Sequence, residues 1–316
     1  MPNAFITNTC NLRCQYCFAK GMLGNVAHSE EMTMDEIKDI ANFIKKSDGP
    51  NPGPHHTISL LGGEPTLHSN FKEIINYLLK DGFMIKLFSN GTFPRETADF
   101  LATVPVEAIA IILNINKKES YSPTQWANLQ HNLTNLNKII ALGFTIFQVD
   151  FDYETVLDYI RKFDLKRDIR LGISMPIVGA SNAYVTYPQY KLVAKRILKF
   201  ADDSFKSDIS FGFDCGFLLC MFTKKELGHL KMRNVNLNFV CDGAIDIGKD
   251  GRVWRCFPLY SLHNSKLNQF NTIVDLKEHY NKLLPVKVKG VSGSCGKCTH
   301  YKRGNCSGGC YGYEFQ

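Results

Sequence analysis

The chain has 316 residues, 44% of them apolar, and a formal net charge of +7 at pH 7. That size and apolar fraction suit one large domain, or a medium one with a smaller attachment. No apolar run reaches transmembrane length, no basic-then-apolar export signal opens the chain, and no Lys/Arg block interleaves with aromatics; the sequence therefore predicts a cytoplasmic protein that acts on neither membrane nor nucleic acid.

In chain order, strand-forming residues 4–9 lead into Cys10-Asn-Leu-Arg-Cys14-Gln-Tyr-Cys17. Three thiolates at this spacing on one loop suit three corners of a [4Fe-4S] cube, with the fourth iron open to a substrate or cofactor; the spacing differs from ferredoxin runs. A structural zinc or a redox thiol would use the same residue types. A closed zinc site needs a fourth ligand, however, and the candidate nearby is His28.

Thr33-Met-Asp-Glu36 has capping-box form and opens a helix reaching about residue 46. Residues 57–61 form a short apolar strand followed by Gly62-Gly63-Glu64-Pro65. Paired glycines permit close backbone approach and Glu64 suits an ammonium partner, although an ordinary strand-to-helix turn reads the same way. A helix at 70–80 stops at Gly82, and strand 85–88 ends in Ser89-Asn90-Gly91. Strand 108–115 contains Asn114 near its end. Helix 124–142 sets Trp126, Leu129, Leu133, Leu136 and Ile140 on one core-facing stripe. Strand 145–150, carrying Gln148 and Asp150, then helix 153–163, strand 170–175 and helix 189–200 complete six strand–helix units. Such alternation predicts a parallel α/β layout with polar strand ends gathered on one rim. Each polar strand-end residue also suits a plain backbone cap.

Of eleven cysteines, three lie in the first loop and eight from Cys215 onward. An odd count without an export signal favours metal centres in a reducing compartment over disulfides. Residues 244–248 and 252–255, joined by Asp250-Gly251, predict a hairpin whose outer ends bring the Cys241 and Cys256 thiols together. Cys295-x2-Cys298, Cys306 and Cys310 follow in glycine-containing loops that suit an iron–sulfur cluster or a zinc knuckle.

Cys10-x3-Cys14-x2-Cys17 after the first strand, with Tyr16 before the last cysteine, resembles the cluster loop of the radical S-adenosylmethionine (SAM) superfamily. Gly62-Gly63-Glu64 resembles the loop after that family's second strand. Cys241…Gly251-x4-Cys256 followed by Cys295-x2-Cys298…Cys306-x3-Cys310 resembles the SPASM auxiliary-cluster domain. The resemblance implies an α/β fold: a partial (β/α)6 TIM-like barrel over 1–205, then a small cysteine-rich SPASM-type domain with a β-hairpin over 206–316. It implies a [4Fe-4S] cluster with an open iron on Cys10, Cys14 and Cys17, with SAM held by Gly62, Gly63, Glu64 and Asn90 and contacted by Asn114, Gln148 and Asp150. It further implies one or two auxiliary [4Fe-4S] clusters. In the first, Cys241, Cys256 and Cys310 are joined by Cys215 or Cys220. The second is placed on Cys295, Cys298 and Cys306. The family's further cysteine after the last triplet has no counterpart in the sequence, so the second cluster would use Cys215 or Cys220, use another ligand, keep an open iron or be absent.

The chemistry implied is reductive cleavage of SAM to a 5′-deoxyadenosyl radical and hydrogen abstraction from a peptide or protein side chain. The product is an oxidised residue or a thioether or carbon crosslink, as in sulfatase-maturing and ribosomal-peptide-modifying relatives. Alternatives are a dehydrogenase of a small sugar or alcohol, a twitch-type enzyme with one auxiliary cluster, and a nonenzymatic iron–sulfur or zinc scaffold. Asp214 and Asp242 adjoin the ligands that the resemblance implies and are candidate proton acceptors, or else partners of cluster-loop amides. Expected partners are the peptide or protein substrate and a low-potential donor such as flavodoxin or ferredoxin. With the first strand beginning next to Met1, a separate leader-peptide-binding protein is a further candidate. No heptad or apolar surface stripe is evident, so a monomer is expected.

Overall fold

The computed structural model describes residues 2–24, 29–47, 55–283 and 290–315. β1 (Pro2–Phe5) runs into the cysteine loop, and α1 (Met34–Ser47) follows with the expected cap: Thr33 N donates to Glu36 Oε2 at 2.7 Å and Glu36 N to Thr33 Oγ1 at 3.3 Å. β2 (His56–Leu61), α2 (Phe71–Lys80), β3 (Phe83–Ser89), α3 (Arg95–Ala102) and β4 (Ile109–Asn114) continue the alternation. They are followed by α4 (Pro123–Asn135), β5 (Ile140–Ile146), α5 (Tyr153–Phe163), β6 (Asp168–Ile173), α6 (Tyr190–Lys206) and β7 (Ser210–Phe213). Each of β1 to β7 pairs in parallel with its sequence neighbour, the pairing that a helical crossover between strands permits.

After α7 (Lys224–Met232) come β8 (Ile245–Ile247), β9 (Arg252–Arg255), β10 (Ser265–Lys266), α8 (Ile273–Leu283) and α9 (Thr299–Lys302). The predicted hairpin is β8–β9, and it is not a separate ribbon. β8 pairs in parallel with β1, so the sheet runs β10-β9-β8-β1-β2-β3-β4-β5-β6-β7.

Two expectations are corrected. The helix expected over 124–142 is α4, which ends at Asn135, and Ile140 opens β5 instead of closing the helical stripe. Leu129, Leu133, Leu136 and Ile140 are all buried, so the apolar pattern was sound while its period changed within it. Gly143 explains the strand: a Cβ there would lie 2.5 Å from Asn114 Oδ1, so the glycine lets β5 pair closely beside β4. As a result β5 ends at Ile146, and Gln148 and Asp150 lie in the turn beyond it. The second correction is an added seventh parallel strand, β7, hidden in the sequence within the apolar stretch 211–222. It is anchored by the Phe211 ring stacked on Phe200 with centroids 4.5 Å apart.

The sheet register puts Asn3 beside both Ser59 and Asp246. Asp246 is wholly buried; its Oδ1 accepts from Asn3 Nδ2 at 2.7 Å, while Oδ2 and Ser59 Oγ have no partner. Burial pushes the Asp246 carboxyl up to about 7.

Candidate functional site

The loop after β1 is fastened by backbone bonds to the loop after β2. Gly63 N donates to Thr7 O at 2.8 Å and Glu64 N to Thr9 O at 2.7 Å. A Cβ on Gly62 would sit 2.5 Å from Thr7 O, and one on Gly63 would sit 2.2 Å from Thr9 O and 2.8 Å from Cys10 Cβ. Glycine is required at both positions because the backbone of the cysteine loop already fills that space.

Glu64 is wholly buried. Its Oε1 accepts from Thr66 Oγ1 at 2.7 Å and Ser89 Oγ at 2.9 Å, and its Oε2 from Asn90 N at 2.7 Å. The carboxylate therefore joins the ends of β2 and β3. Burial holds its pKa above the ordinary value, and these donors offset part of the rise. Asn90 Nδ2 donates to Asn11 Oδ1 at 2.8 Å, while its Oδ1 accepts from Thr92 N at 2.9 Å. Asn11 stands between Cys10 and Leu12, so Glu64 and Asn90 form one polar chain reaching into the cysteine loop.

Burial pushes the Cys10 thiol up to about 11 and Cys17 up to about 12, and Cys14 is also raised. Repulsion from Cys14 adds to the shift at both Cys10 and Cys17, which places the three thiols within each other's field. Bare thiolates are disfavoured here, and a metal cation would reverse that balance. Among the described residues no three or more His, Cys, Asp or Glu side chains are gathered tightly enough to hold a lone metal ion. His28, the zinc alternative's fourth ligand, lies outside the described residues.

Beside Cys14 opens a cleft of about 460 Å³, lined by Cys14, Tyr16, Asn116, Thr145, Phe147 and Gln148 among others. Tyr16 is stacked on Phe147 with centroids 5.1 Å apart. Asn116 escaped the sequence reading: its Nδ2 donates to Cys14 Sγ at 3.5 Å and its Oδ1 accepts from Tyr16 OH at 2.8 Å. Its place just past the end of β4, on the rim where polar strand ends gather, was the available signal. Of the polar strand-end residues proposed from sequence, Gln148 lines the cleft and Asp150 is exposed in the turn beyond β5. Asn114 lies beneath Gly143.

The tail cysteines fall into two neighbourhoods. Cys256 is pushed well up by burial, with repulsion from Cys241, Asp246, Cys215 and Cys310 adding to it. Cys220 is raised by burial and then by Cys306 and Cys295. Cys256 N donates to Ala244 O at 3.0 Å at the hairpin base. The loop carrying Cys306 and Cys310 is tied to Cys241, whose N donates to Ser307 Oγ at 2.7 Å. Asp214 is ion-paired with Arg170 at 2.5 Å, and Asp242 pairs at 3.4 Å with Lys277 from a side chain 83% exposed. Neither carboxylate lines the cleft.

The family model that matches the sequence is that of the radical SAM superfamily, over residues 5–162. The chain belongs to this superfamily. The match covers the cysteine loop, the glycine pair and the strands around the cleft, and the fold of this superfamily implies SAM and a [4Fe-4S] cluster as the groups held there.

Two curated relatives are the S-adenosylmethionine-dependent nucleotide dehydratase of Selenomonas ruminantium and the GTP 3′,8-cyclase of Alkaliphilus oremlandii. The first is 36% identical over 28% of this chain and 29% of its own length. The second is 28% identical over 56% of each. The chain thus spans between about a quarter and somewhat over half the length of these curated relatives.

Solved structures match much further along the chain. Streptococcus suis SuiB bound to S-adenosylmethionine is 15% identical, with a TM-score of 0.68 over 98% of this chain and 72% of SuiB. SuiB has also been solved bound to its precursor peptide SuiA, with a TM-score of 0.66. anSMEcpe with AdoMet and the Cp18Cys peptide is 18% identical, with a TM-score of 0.64 over 99% of this chain and 90% of anSMEcpe. The likeness is one of fold, and it carries the radical SAM partial barrel on into a SPASM-type cysteine-rich tail. No helix among the described residues is long and apolar enough to cross a membrane.

Proposed function

We propose that this radical SAM enzyme acts on a peptide or protein side chain, leaving an oxidised residue or a thioether or carbon crosslink. The supporting observation is the extent of the fold match. It runs through the cysteine-rich tail to two proteins solved with peptides bound, whereas the curated relatives named for nucleotide reactions match at most 56% of the chain.

In this reading Cys10, Cys14 and Cys17 hold the [4Fe-4S] cluster, and Gly62, Gly63, Glu64 and Asn90 shape the SAM side of the same loop. The residues fit these groups. The first donor set is all sulfur, as an iron–sulfur centre requires, and the glycine pair keeps side chains out of the space next to Cys10. Cys215, Cys220, Cys241, Cys256, Cys295, Cys298, Cys306 and Cys310 supply thiolates for two auxiliary [4Fe-4S] clusters. When bound, SAM and the clusters supply a reductively generated 5′-deoxyadenosyl radical and a route for the electron released on substrate oxidation.

The chain's own residues bind and orient. Asn116 donates to Cys14 Sγ and fixes the Tyr16 hydroxyl, holding the cluster loop against the cleft. Tyr16, Phe147 and Phe144 give the cleft an aromatic wall that excludes water from a reacting radical. Gln148 and Thr145 offer polar contacts to SAM or to a substrate backbone. Asp214 and Asp242, the proton acceptors proposed from sequence, are held as charge partners of Arg170 and Lys277. A low-potential flavodoxin or ferredoxin is the electron donor this reading expects, and a separate leader-binding protein is a candidate partner for substrate delivery.

The test is anaerobic reconstitution with iron and sulfide, followed by SAM, dithionite and a serine- or cysteine-containing peptide deuterated at Cβ. Deuterium transfer into 5′-deoxyadenosine, with matching loss of two hydrogens from the peptide and no product from Cys14→Ala, supports the proposal. Turnover on a nucleoside triphosphate or a polyol, with none on the peptides, would move the substrate to those classes.

A further inference from the structure

We propose that Cys215 and Cys220 are divided between two tail cages: Cys215 completes the set Cys241, Cys256 and Cys310, and Cys220 completes the set Cys295, Cys298 and Cys306. The inference rests on the auxiliary clusters proposed above and specifies their ligands. Two all-thiolate cages would leave no open iron in the tail, confining both centres to electron transfer.

The geometry that separates Cys215 from Cys220 begins at the ends of β6 and β7. Asp214 N donates to Leu171 O at 2.8 Å, and Cys215 O accepts from Ile173 N at 2.9 Å, which fixes Cys215 at the strand ends. Gly216 then turns with φ +95°, where a Cβ would meet Met175 Cε at 2.0 Å and Ile173 O at 2.8 Å. Its carbonyl accepts from Tyr190 OH at 3.0 Å. Phe217 stacks on Phe213 with centroids 3.8 Å apart, and Leu218 is buried. Cys220 comes next in a single 3-10 turn, Leu219–Met221, where Lys191 Nζ donates to its carbonyl at 2.8 Å. The four residues between the two cysteines thus form an anchored wedge and not a flexible tether.

The wedge meets the other side of the tail between Cys306 and Cys310. The Cβ position of Gly309 is 3.4 Å from Leu218 Cδ2, and Gly308 and Gly309 take φ of +73° and +106°. This left-handed pair bends the loop so that its two cysteines serve different neighbourhoods. Gly308 N donates to Cys306 Sγ at 3.4 Å and Gly312 N to Cys310 Sγ at 3.3 Å, so each thiol has its own amide. Electrostatic neighbours agree: Cys215 feels Cys241 and Cys310, and Cys220 feels Cys306 and Cys295.

The test uses the full chain, reconstituted anaerobically, with iron per chain and the EPR spectra of the reduced and mildly oxidised protein as readouts. Wild type carrying about 12 irons, as three cubes require, sets the baseline; about 4 irons would overturn the auxiliary-cluster reading itself. In a Cys241→Ala/Cys256→Ala background, the remaining auxiliary signal is expected to be lost, or converted to a three-iron signal, by Cys220→Ser and to be untouched by Cys215→Ser. In a Cys295→Ala/Cys298→Ala background the dependence is expected to reverse. Serine keeps the side-chain shape, and circular dichroism of each variant separates ligand loss from misfolding. Dependence on the opposite cysteine, or on neither, overturns the division while leaving the auxiliary clusters in place.

Discussion

Gly63→Ala tests whether the glycine pair exists to let two loops meet. The added methyl would lie 2.2 Å from Thr9 O, 2.6 Å from Thr9 C and 2.8 Å from Cys10 Cβ. The first two obstacles are backbone, which cannot rotate away as a side chain can, and Glu64 N donates to that same Thr9 carbonyl at 2.7 Å. Overpacking of this kind costs about 1–3 kcal/mol, and loss of the Glu64–Thr9 bond adds roughly 1 kcal/mol. The expected result in the iron-free chain is a fall in Tm on the order of 2–10 °C. In reconstituted protein the displaced Cys10 should lower iron content and 5′-deoxyadenosine formation. Gly172→Ala is the control, because nothing lies within 4 Å of its Cβ position, and its stability should stay within about 0.5 kcal/mol of wild type. Wild-type Tm and iron loading in Gly63→Ala would refute the argument.

Glu64→Gln should destabilise the iron-free chain by about 1–3 kcal/mol in urea unfolding, because the donors of Thr66, Ser89 and Asn90 all converge on its carboxylate; unchanged stability would mean that those donors are readily re-paired. Asn116→Leu removes the donor to Cys14 Sγ, so the midpoint potential of the N-terminal cluster in an EPR-monitored titration should become more negative. An unchanged potential would make the contact incidental. Asp246 has a folded pKa of about 7, raised above its ordinary 3.8, so its contribution to stability is full below pH 4 and lost as pH rises through 7. Asp246→Asn should flatten the decline in stability of the iron-free chain between pH 5 and 7.5, by about 2–3 kcal/mol; parallel pH profiles for the two proteins would exclude the effect.

How much of this was legible in the sequence depends on the range of the interactions that decide each feature. α5 lies where its apolar spacing put it, and Thr33 and Glu36 cap α1 as their spacing predicts, because these are local effects. The β8–β9 hairpin was legible from Asp250-Gly251, but its pairing with β1 was not, since nothing near residue 245 reports on residue 2. The end of α4 was misjudged for the same reason. Leu136 and Ile140 keep helical spacing, and the pull of β4 on Ile140 comes from distant residues. Around the site, the cysteines and glycines stood out because few other residues can replace them. Asn116 did not, because an asparagine after a strand has many ordinary uses and its contact with Cys14 spans 102 residues of sequence.

The cysteine sets are linked by more than the chain that carries them. β1, which delivers Cys10, Cys14 and Cys17, shares its other edge with β8, whose hairpin carries Cys256 at its base. The segment after β6 adds a second link. Ala183 N donates to Gln15 O at 2.8 Å inside the first cysteine loop, and Val178 N donates to Pro258 O at 2.9 Å just past Cys256. Tyr313 OH donates to Val185 O from the far side of Cys310. These links are mostly backbone bonds, and none of them runs through a thiol. Emptying one of the proposed tail cages is therefore expected to remove its own cluster without releasing the N-terminal loop. Radical formation and the fate of the substrate electron are then separable by mutation: tail variants should still form 5′-deoxyadenosine while failing to complete the product.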